Sequence, residues 1–273
     1  MRKIGLLFAI LVAVLFSLAP FLWSLITSLK SGHEVFRIPP TVLPKDPTLA
    51  NYVEIFEQRP FARYLANSIL VGLGSTFLTL MAGALAAYSI ARLHPRGGWL
   101  VEKGILFFAL FPAGVLIAPL YSLAASLDLT ESHLGLVVVH AALNLPFAVW
   151  MLTAFFRQFP SELEDAARVD GFSRLGTLFR IVLPISAPAL AATAILVFIF
   201  SWNEFVIANT FLQLDELRTV PVGIAMISGA TSREFPWGQI SAAVVLTTLP
   251  IVAAVLAFQK WIVGGLTAGA VKG

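Results

Sequence analysis

The sequence predicts an all-α membrane protein with six transmembrane helices. Of its 273 residues, 58% are hydrophobic and only 12% are charged, and the mean hydropathy is +0.88. Six stretches lack Asp, Glu, Lys and Arg, and each exceeds the roughly 20 residues that a helix needs to cross about 30 Å of hydrocarbon. None of them alternates with the period of two that membrane strands show. The uncharged stretches are 4–29, 64–91, 104–127, 132–156, 181–203 and 235–259. The spans predicted from them are 4–29, 64–91, 104–127, 133–156, 185–211 and 237–260.

These spans fill most of the chain, so we predict a single transmembrane domain over residues 1–273 with no separate soluble domain. The first apolar run is longer than the core of a signal peptide, which favours an uncleaved first helix. The chain contains no cysteine, which excludes disulfides and thiolate metal sites. His33 and Glu34 begin like a zinc-protease motif, but its second histidine is missing, so no metal site is predicted.

The distribution of basic residues predicts the orientation of the chain. With six spans both termini share one side, and the loops on that side carry more Lys and Arg than the loops opposite. The short loop 128–134 on the opposite side has no Lys or Arg at all. Because Lys and Arg accumulate in cytoplasmic loops, both termini are predicted to be cytoplasmic. The polar segment 161–183 then faces the cytoplasm.

The segment 161–183 reads as two short helices joined at a glycine. Ser161 and Glu164 have the S-x-x-E spacing of a capping box, and Gly171 favours a break because glycine readily takes positive φ. We expect one face of the first helix to carry Leu163, Ala166 and Ala167. After the break, apolar residues recur at helical spacing, opposite Ser173, Arg174, Thr177 and Arg180: they are Phe172, Leu175, Phe179 and Val182.

Two interpretations of this amphipathic segment follow from the residues alone. It either lies on the bilayer surface as an interfacial helix or inserts into a groove on another protein. The small residues beside carboxylates suit the second interpretation, but the pattern does not decide between them.

The same segment resembles the cytoplasmic signature of binding-protein-dependent ABC importer permeases. That signature reads E-A-A, three residues, G, nine residues, then I-x-L-P, and every spacing is kept here. Asp165 stands where the family has Glu, with Glu164 beside it. The stretches 43–56, 66–72, 200–205 and 262–273 are similar to the carbohydrate-uptake branch, and in particular to the shorter six-helix permease subunit of maltose- and trehalose-type systems.

This resemblance implies a type I importer permease fold and a set of partners. They are a second homologous permease, two copies of a cytoplasmic ABC ATPase, an extracytoplasmic sugar-binding protein and the lipid bilayer of a bacterial inner membrane, with no nucleic acid. ATP and Mg would bind to the ATPase and no cofactor to this chain, which lacks a phosphate-binding loop. The loops 30–63 and 213–238 would approach the binding protein, and the C-terminal tail the ATPases. The ATPase-coupling residues implied are Glu164, Asp165, Ala166, Ala167, Asp170, Gly171 and Pro184.

Polar residues within the spans are the candidates for the substrate pathway. Trp202, Asn203 and Glu204 lie toward the outer end of the fifth span, where an ionisable group is costly and therefore a functional candidate. Amides and carboxylates hydrogen-bond sugar hydroxyls, and an indole suits the apolar face of a pyranose. Asn144 precedes Pro146 midway through the fourth span. The alternatives are an interfacial anchor for Trp202, a packing kink at Pro146, and interhelical hydrogen bonding for His140.

The function predicted is the permease subunit of an ATP-driven sugar importer. It would form half of the pathway, perform no catalysis, and couple to the ATPase through residues 161–183. The alternative is a secondary transporter or channel subunit for small polar solutes. Such proteins usually show paired broken helices or rings of polar groups, and the sequence shows no internal repeat.

Overall fold

The computed structural model describes residues 2–93, 97–109, 112–229 and 235–270, and in these the regular secondary structure is entirely helical. The chain divides into two compact units, each taken separately below. The first consists of Met1–Leu65 with Thr219–Val252, and the second of Ala66–Arg218 with Ala253–Gly273. Parts of the predicted loop 213–238 and of the C-terminal tail fall on 230–234 and 271–273, outside the described residues.

The helices are numbered in chain order. Two π-helical turns, Ser89–Leu93 and Leu178–Val182, follow α4 and α9, and a 3-10 turn covers Asp215–Leu217. The α-helices are α1 (Arg2–Ser28), α2 (Gly32–Val35), α3 (Ala50–Gln58), α4 (Phe61–Tyr88), α5 (Gly98–Ala109), α6 (Ala113–Ser126), α7 (His133–Phe156), α8 (Ser161–Val169), α9 (Arg174–Thr177), α10 (Leu183–Ile185), α11 (Ala187–Asn203), α12 (Val206–Phe211), α13 (Val220–Gly229) and α14 (Trp237–Ala270).

Among the described residues, four helices are long and apolar enough to cross a membrane, or five if one bent pair counts as a span. The four are Lys3–Ser28, Phe61–Leu93, His133–Phe156 and Trp237–Trp261. They overlap four of the predicted spans. The bent pair, Arg174–Ile185 with Ala187–Asn203, turns by 81° and covers the start of the predicted span 185–211.

Two predicted spans are not single helices. The run 104–127 contains the end of α5 and all of α6, and Pro112, which has no backbone N–H, lies directly before α6. The run 185–211 contains α11 and α12, separated at Glu204 and Phe205. The count of six spans and the cytoplasmic placement of the termini stay predictions.

The core of the first unit packs α3 and the start of α4 against α13 and α14. Its buried side chains are Ile55, Phe61, Tyr64, Val220, Ile227, Ala242 and Ala243. Phe61 stands edge-on to Phe56 and Tyr64. Asn51 on α3 donates to the carbonyls of Ser28 and Lys30, both at 2.8 Å, and so satisfies acceptors at the end of α1.

The core of the second unit joins the end of α4 to α7 and to the π turn after α9. Its buried residues are Ala84, Ala87, Tyr88, Ile90, Ala91, Val149, Leu152, Phe156, Leu178 and Val182. Small side chains on α4 let the helices approach closely, as is common between membrane helices. The polar segment after α7 is therefore packed against membrane helices at its C-terminal end.

We expect Gly223→Ala to destabilise the protein, although alanine normally stabilises a helix interior relative to glycine. A Cβ at residue 223 would lie 2.3 Å from Cδ2 of Tyr64, whose ring is fully buried. Overpacking of this kind costs about 1–3 kcal/mol. Thermal unfolding of the purified protein in detergent measures the loss. Gly104→Ala is the control, because a Cβ there meets no atom of this chain within 4 Å. Equal stability of the two variants would contradict the packing described.

Candidate coupling segment and intramembrane polar cluster

The first helix of the polar segment is present, but the capping box predicted for it is wrong. Helix α8 begins at Ser161 after Pro160, and no side chain caps its N-terminus. The Glu164 carboxylate does not reach back to Ser161. It points instead toward α4 and the π turn that follows α4, where it contacts the guanidinium of Arg92 and the hydroxyl of Tyr88.

Glu164 is held by two side chains of the second unit. Oε1 of Glu164 lies 2.9 Å from Nε of Arg92, and both side chains are nearly buried, at 13% and 12% exposure. The Tyr88 hydroxyl donates to Oε2 at 3.4 Å. The guanidinium of Arg92 also donates to the carbonyl of Phe159. This carboxylate therefore belongs to the internal structure of the chain.

The opposite side of α8 is open to solvent. Ala167 is 1% exposed, whereas Val169 is 88% exposed and Leu163, Asp165 and Ala166 are exposed as well. Leu163, Ala166 and Ala167 were predicted to share one face. Leu163 and Ala166 are both exposed, but Ala167 is buried on the side of Glu164. Asp165 pairs only with Arg168 one turn later on the same exposed surface.

The break predicted at Gly171 is confirmed. Helix α8 ends at Val169 with Asp170 as its C-cap, and Gly171 has φ +81°, in the left-handed region that favours glycine. Asp170 and Gly171 are both exposed. Ser173 then caps α9 by accepting a hydrogen bond from the Gly176 N–H at 3.1 Å.

The apolar face predicted after the break is wrong in its phase. Leu175 and Phe179 are exposed, while Thr177, predicted on the polar face, is 2% exposed and Leu178 is fully buried. The π turn Leu178–Val182 changes the helical period only from Leu178 onward, which affects Phe179 but does not account for Leu175 and Thr177, because they precede it. Pro184 is exposed on α10, just before the 81° bend at Ser186.

A second ion pair lies before the segment, at the end of α7. Arg157 donates to both carboxylate oxygens of Glu102, at 2.9 and 2.7 Å, and these side chains are 47% and 33% exposed. The hydrogen bonds from Arg157 hold the pKa of the Glu102 carboxyl below its usual value. Both residues lie outside the predicted spans.

Glu204 explains the gap between α11 and α12. Its carboxylate accepts from the backbone N–H groups of Ile207 and Ala208, at 2.8 and 2.9 Å, and so caps α12. His140 Nε2 on α7 lies 3.3 Å from the same carboxylate and is 2% exposed. Interhelical pairing, the alternative weighed for His140, is what the structure shows.

The remaining pathway candidates differ in their access to solvent. Trp202 is 3% exposed and packs beside Phe198, with ring centroids 5.5 Å apart, so its indole is not accessible in this conformation. Asn203 is exposed and donates to the Ile199 carbonyl. Asn144 donates to Ser201 Oγ at 3.2 Å, and Ser75 donates to the same oxygen at 2.8 Å. A pathway role for these residues stays a prediction.

Sequence reasoning missed Tyr88, Arg92, Ser75 and Ser201. Arg92 had a detectable signal, since it ends the uncharged run 64–91, but nothing in the sequence identified Glu164 as its partner. Ser75 and Ser201 look like ordinary small residues of membrane helices. No group of three His, Asp or Glu suited to a metal occurs among the described residues.

Comparison with known proteins decides what these features belong to. Residues 62–267 match the family model of the binding-protein-dependent transport system inner membrane component. The chain belongs to this family. It is therefore a non-catalytic permease of a bacterial-type inner membrane transport system, and segment 161–183 lies within the matched range.

Relatives match along nearly their whole length. The chain is 39% identical to the trehalose/maltose transport system permease protein MalG of Thermococcus litoralis, over 100% of this chain and 98% of that protein. It is 41% identical to the sulfoquinovosyl glycerol transport system permease protein SmoH of Agrobacterium fabrum, over 94% and 89%. It is 39% identical to the trehalose transport system permease protein SugB of Mycobacterium tuberculosis, over 94% and 93%.

A solved structure shares the fold of this permease. A chain from a bacterial ABC transporter that imports the acidic polysaccharide alginate superposes with a TM-score of 0.82 at 23% identity. The match covers 96% of this chain and 97% of that one. At this identity the likeness shows the fold alone, and it confirms the predicted importer-permease fold.

We expect Glu204→Ala to destabilise the protein, because it leaves two N–H groups at the start of α12 without their acceptor. Loss of a helix cap costs about 0.5–2 kcal/mol. Thermal unfolding in detergent measures it. Asn203→Ala is the matched control, since the neighbouring amide is exposed and bonds only within its own helix. If both variants unfold at the temperature of the unmodified protein, Glu204 is not the cap.

Proposed function

We propose that this permease is one half of the translocation pathway of an ATP-driven importer of glycosides. The other half is a second, homologous permease. The named substrates of three relatives, trehalose/maltose, trehalose and sulfoquinovosyl glycerol, are all sugars or glycosides. A di- or oligosaccharide of the maltose or trehalose kind is the substrate that we test first, delivered by an extracytoplasmic binding protein.

The exposed side of α8 carries this proposal. Leu163, Ala166 and Val169 form an uncovered apolar strip on a helix whose other side is anchored to the second unit. Exposed apolar side chains on a short, rigidly held helix suit a groove on a partner protein. The occupant of that contact is the ABC ATPase, because the permease has no phosphate-binding loop of its own.

Asp165 is the carboxylate that faces the ATPase. Its side chain is 63% exposed, whereas that of Glu164 is 13% exposed and bound internally. The family glutamate position is therefore filled by Asp165, one methylene shorter, with Ala166 and Ala167 beside it. The ends and bends of the segment are set by Asp170, Gly171 and Pro184. The candidates for the substrate pathway remain Asn144, Trp202, Asn203 and Glu204.

The backbone at Gly171 gives a test of the docking role. Gly171→Val places a β-branched residue at φ +81° and should change the angle between α8 and α9, since such residues rarely adopt positive φ. We expect this variant to insert into the membrane but to lose most of its co-purification with the ATPase and most of its sugar uptake.

Gly171→Asn is the matched control, because asparagine tolerates the left-handed region. We expect it to retain the ATPase and to transport. Undiminished uptake by the Gly171→Val variant would refute the docking assignment.

The transport function itself is tested by reconstitution. The purified permease pair with its ATPase should hydrolyse ATP faster when binding protein and maltose or trehalose are added together. A channel or a secondary transporter would co-purify with no ATPase, and its flux would not depend on ATP.

A further inference from the structure

Arg92 lies where the π turn after the long helix α4 meets the segment that we propose to contact the ATPase. It belongs to the π turn Ser89–Leu93, which continues α4. Local π turns within helices often mark functional positions, because the extra residue redirects a side chain. Here the side chain of Arg92 extends away from α4 and reaches two residues, one in the connection between α7 and α8 and one in α8.

Arg92 contacts both α8 and the connection that precedes it. Its Nε faces Glu164 on α8 at 2.9 Å, and its Nη2 donates to the carbonyl of Phe159 before α8. The guanidinium carbon also lies 6.0 Å from the centre of the Phe159 ring. A planar guanidinium with fixed donor directions is suited to holding several acceptors in one geometry.

The ion pair is mostly buried, with the side chains of Arg92 and Glu164 12% and 13% exposed. A polar cavity of about 160 Å³ surrounds it, lined by Tyr88, Arg92, Leu93, Glu164, Arg168, Arg174 and Thr177. Within it the Tyr88 hydroxyl adds a hydrogen bond to Glu164, at 3.4 Å. Opposite charges in a mostly buried site interact more strongly than they do at an open surface, and without Arg92 the carboxylate of Glu164 loses the cation that ties it to α4.

We infer that Arg92 is a positioning residue for transport: through Glu164 it couples movement of α8 to α4. The inference rests on the proposed function, because it assumes that an ATPase moves α8. Without the Arg92–Glu164 pair, the side-chain hydrogen bond described between α4 and α8 is the long one from the Tyr88 hydroxyl to Glu164, at 3.4 Å. With the pair, a displacement of α8 acts directly on the end of a long helix of the second unit.

The test uses the complete reconstituted transporter and measures two quantities. One is the stimulation of ATP hydrolysis by binding protein and maltose or trehalose, relative to basal hydrolysis. The other is sugar imported per ATP hydrolysed. We expect Arg92→Gln to lower sugar imported per ATP by about 2- to 30-fold, the range for positions that carry coupling, while the complex still assembles. Arg92→Lys keeps the charge and should restore part of the coupling.

Glu102→Gln is the matched control. It removes the negative charge from the Arg157–Glu102 pair, which belongs to the same unit; among the described residues no hydrogen bond or ion pair is recorded from this pair to α8. We expect near-normal coupling in this variant. Equal coupling in Arg92→Gln and Glu102→Gln, with the unmodified transporter fully stimulated, would overturn the role of Arg92.

A milder variant covers the case in which Arg92→Gln prevents assembly. Tyr88→Phe removes only the hydroxyl that bonds Glu164 and should lower the import per ATP by a smaller factor. If Arg92→Gln does not assemble and Tyr88→Phe imports as much sugar per ATP as the unmodified transporter, the inference fails. Absence of any stimulation in the unmodified transporter would instead defeat the proposed function.

Discussion

Hydrocarbon offers no hydrogen-bond partner to the peptide backbone, and this constraint governs both the fold and the position of its polar groups. Every regular element among the described residues is helical, so most backbone groups are satisfied within the element itself. At two places where a helix ends, a side chain of this protein supplies the missing partner. Glu204 closes the gap between α11 and α12 by accepting from two backbone N–H groups, and Asn51 satisfies the carbonyls at the end of α1. The partly buried carboxylate of Glu204, a candidate for substrate binding, therefore has a structural role as well.

The two carboxylates of α8 lie in different surroundings. Glu164 lies on the side that faces the membrane helices and is satisfied by Arg92 and Tyr88, while Asp165 lies on the side that faces solvent. The helix of nine residues is thereby attached to α4 through Glu164, while Asp165, paired with Arg168, stays on its exposed side.

The sequence predicted the helical class, the family, the polar segment and the break at Gly171, because each depends on local composition or on a strict spacing. It failed where tertiary contacts decide. The capping box at Ser161 was overridden by the attraction of Arg92, which is distant in the chain. Leu175 and Phe179 are exposed because Leu178 packs into the core of the second unit instead, which is a tertiary contact, and the π turn from Leu178 onward leaves no local signal. Burial of Trp202 depends on Phe198 and on the neighbouring helices, which no single segment specifies.

The central claim is that the exposed side of α8 is covered by a nucleotide-driven partner. The chain has no cysteine, so a single cysteine at Val169, which is 88% exposed, gives an unambiguous label site. Maleimide labelling of Val169→Cys in detergent should be fast for the permease alone and at least about tenfold slower once the ATPase is bound, since contact removes the thiol from solvent. A cysteine at the exposed Gln158 should label at similar rates in both states. Equal labelling of Val169→Cys with and without the bound ATPase would contradict the account.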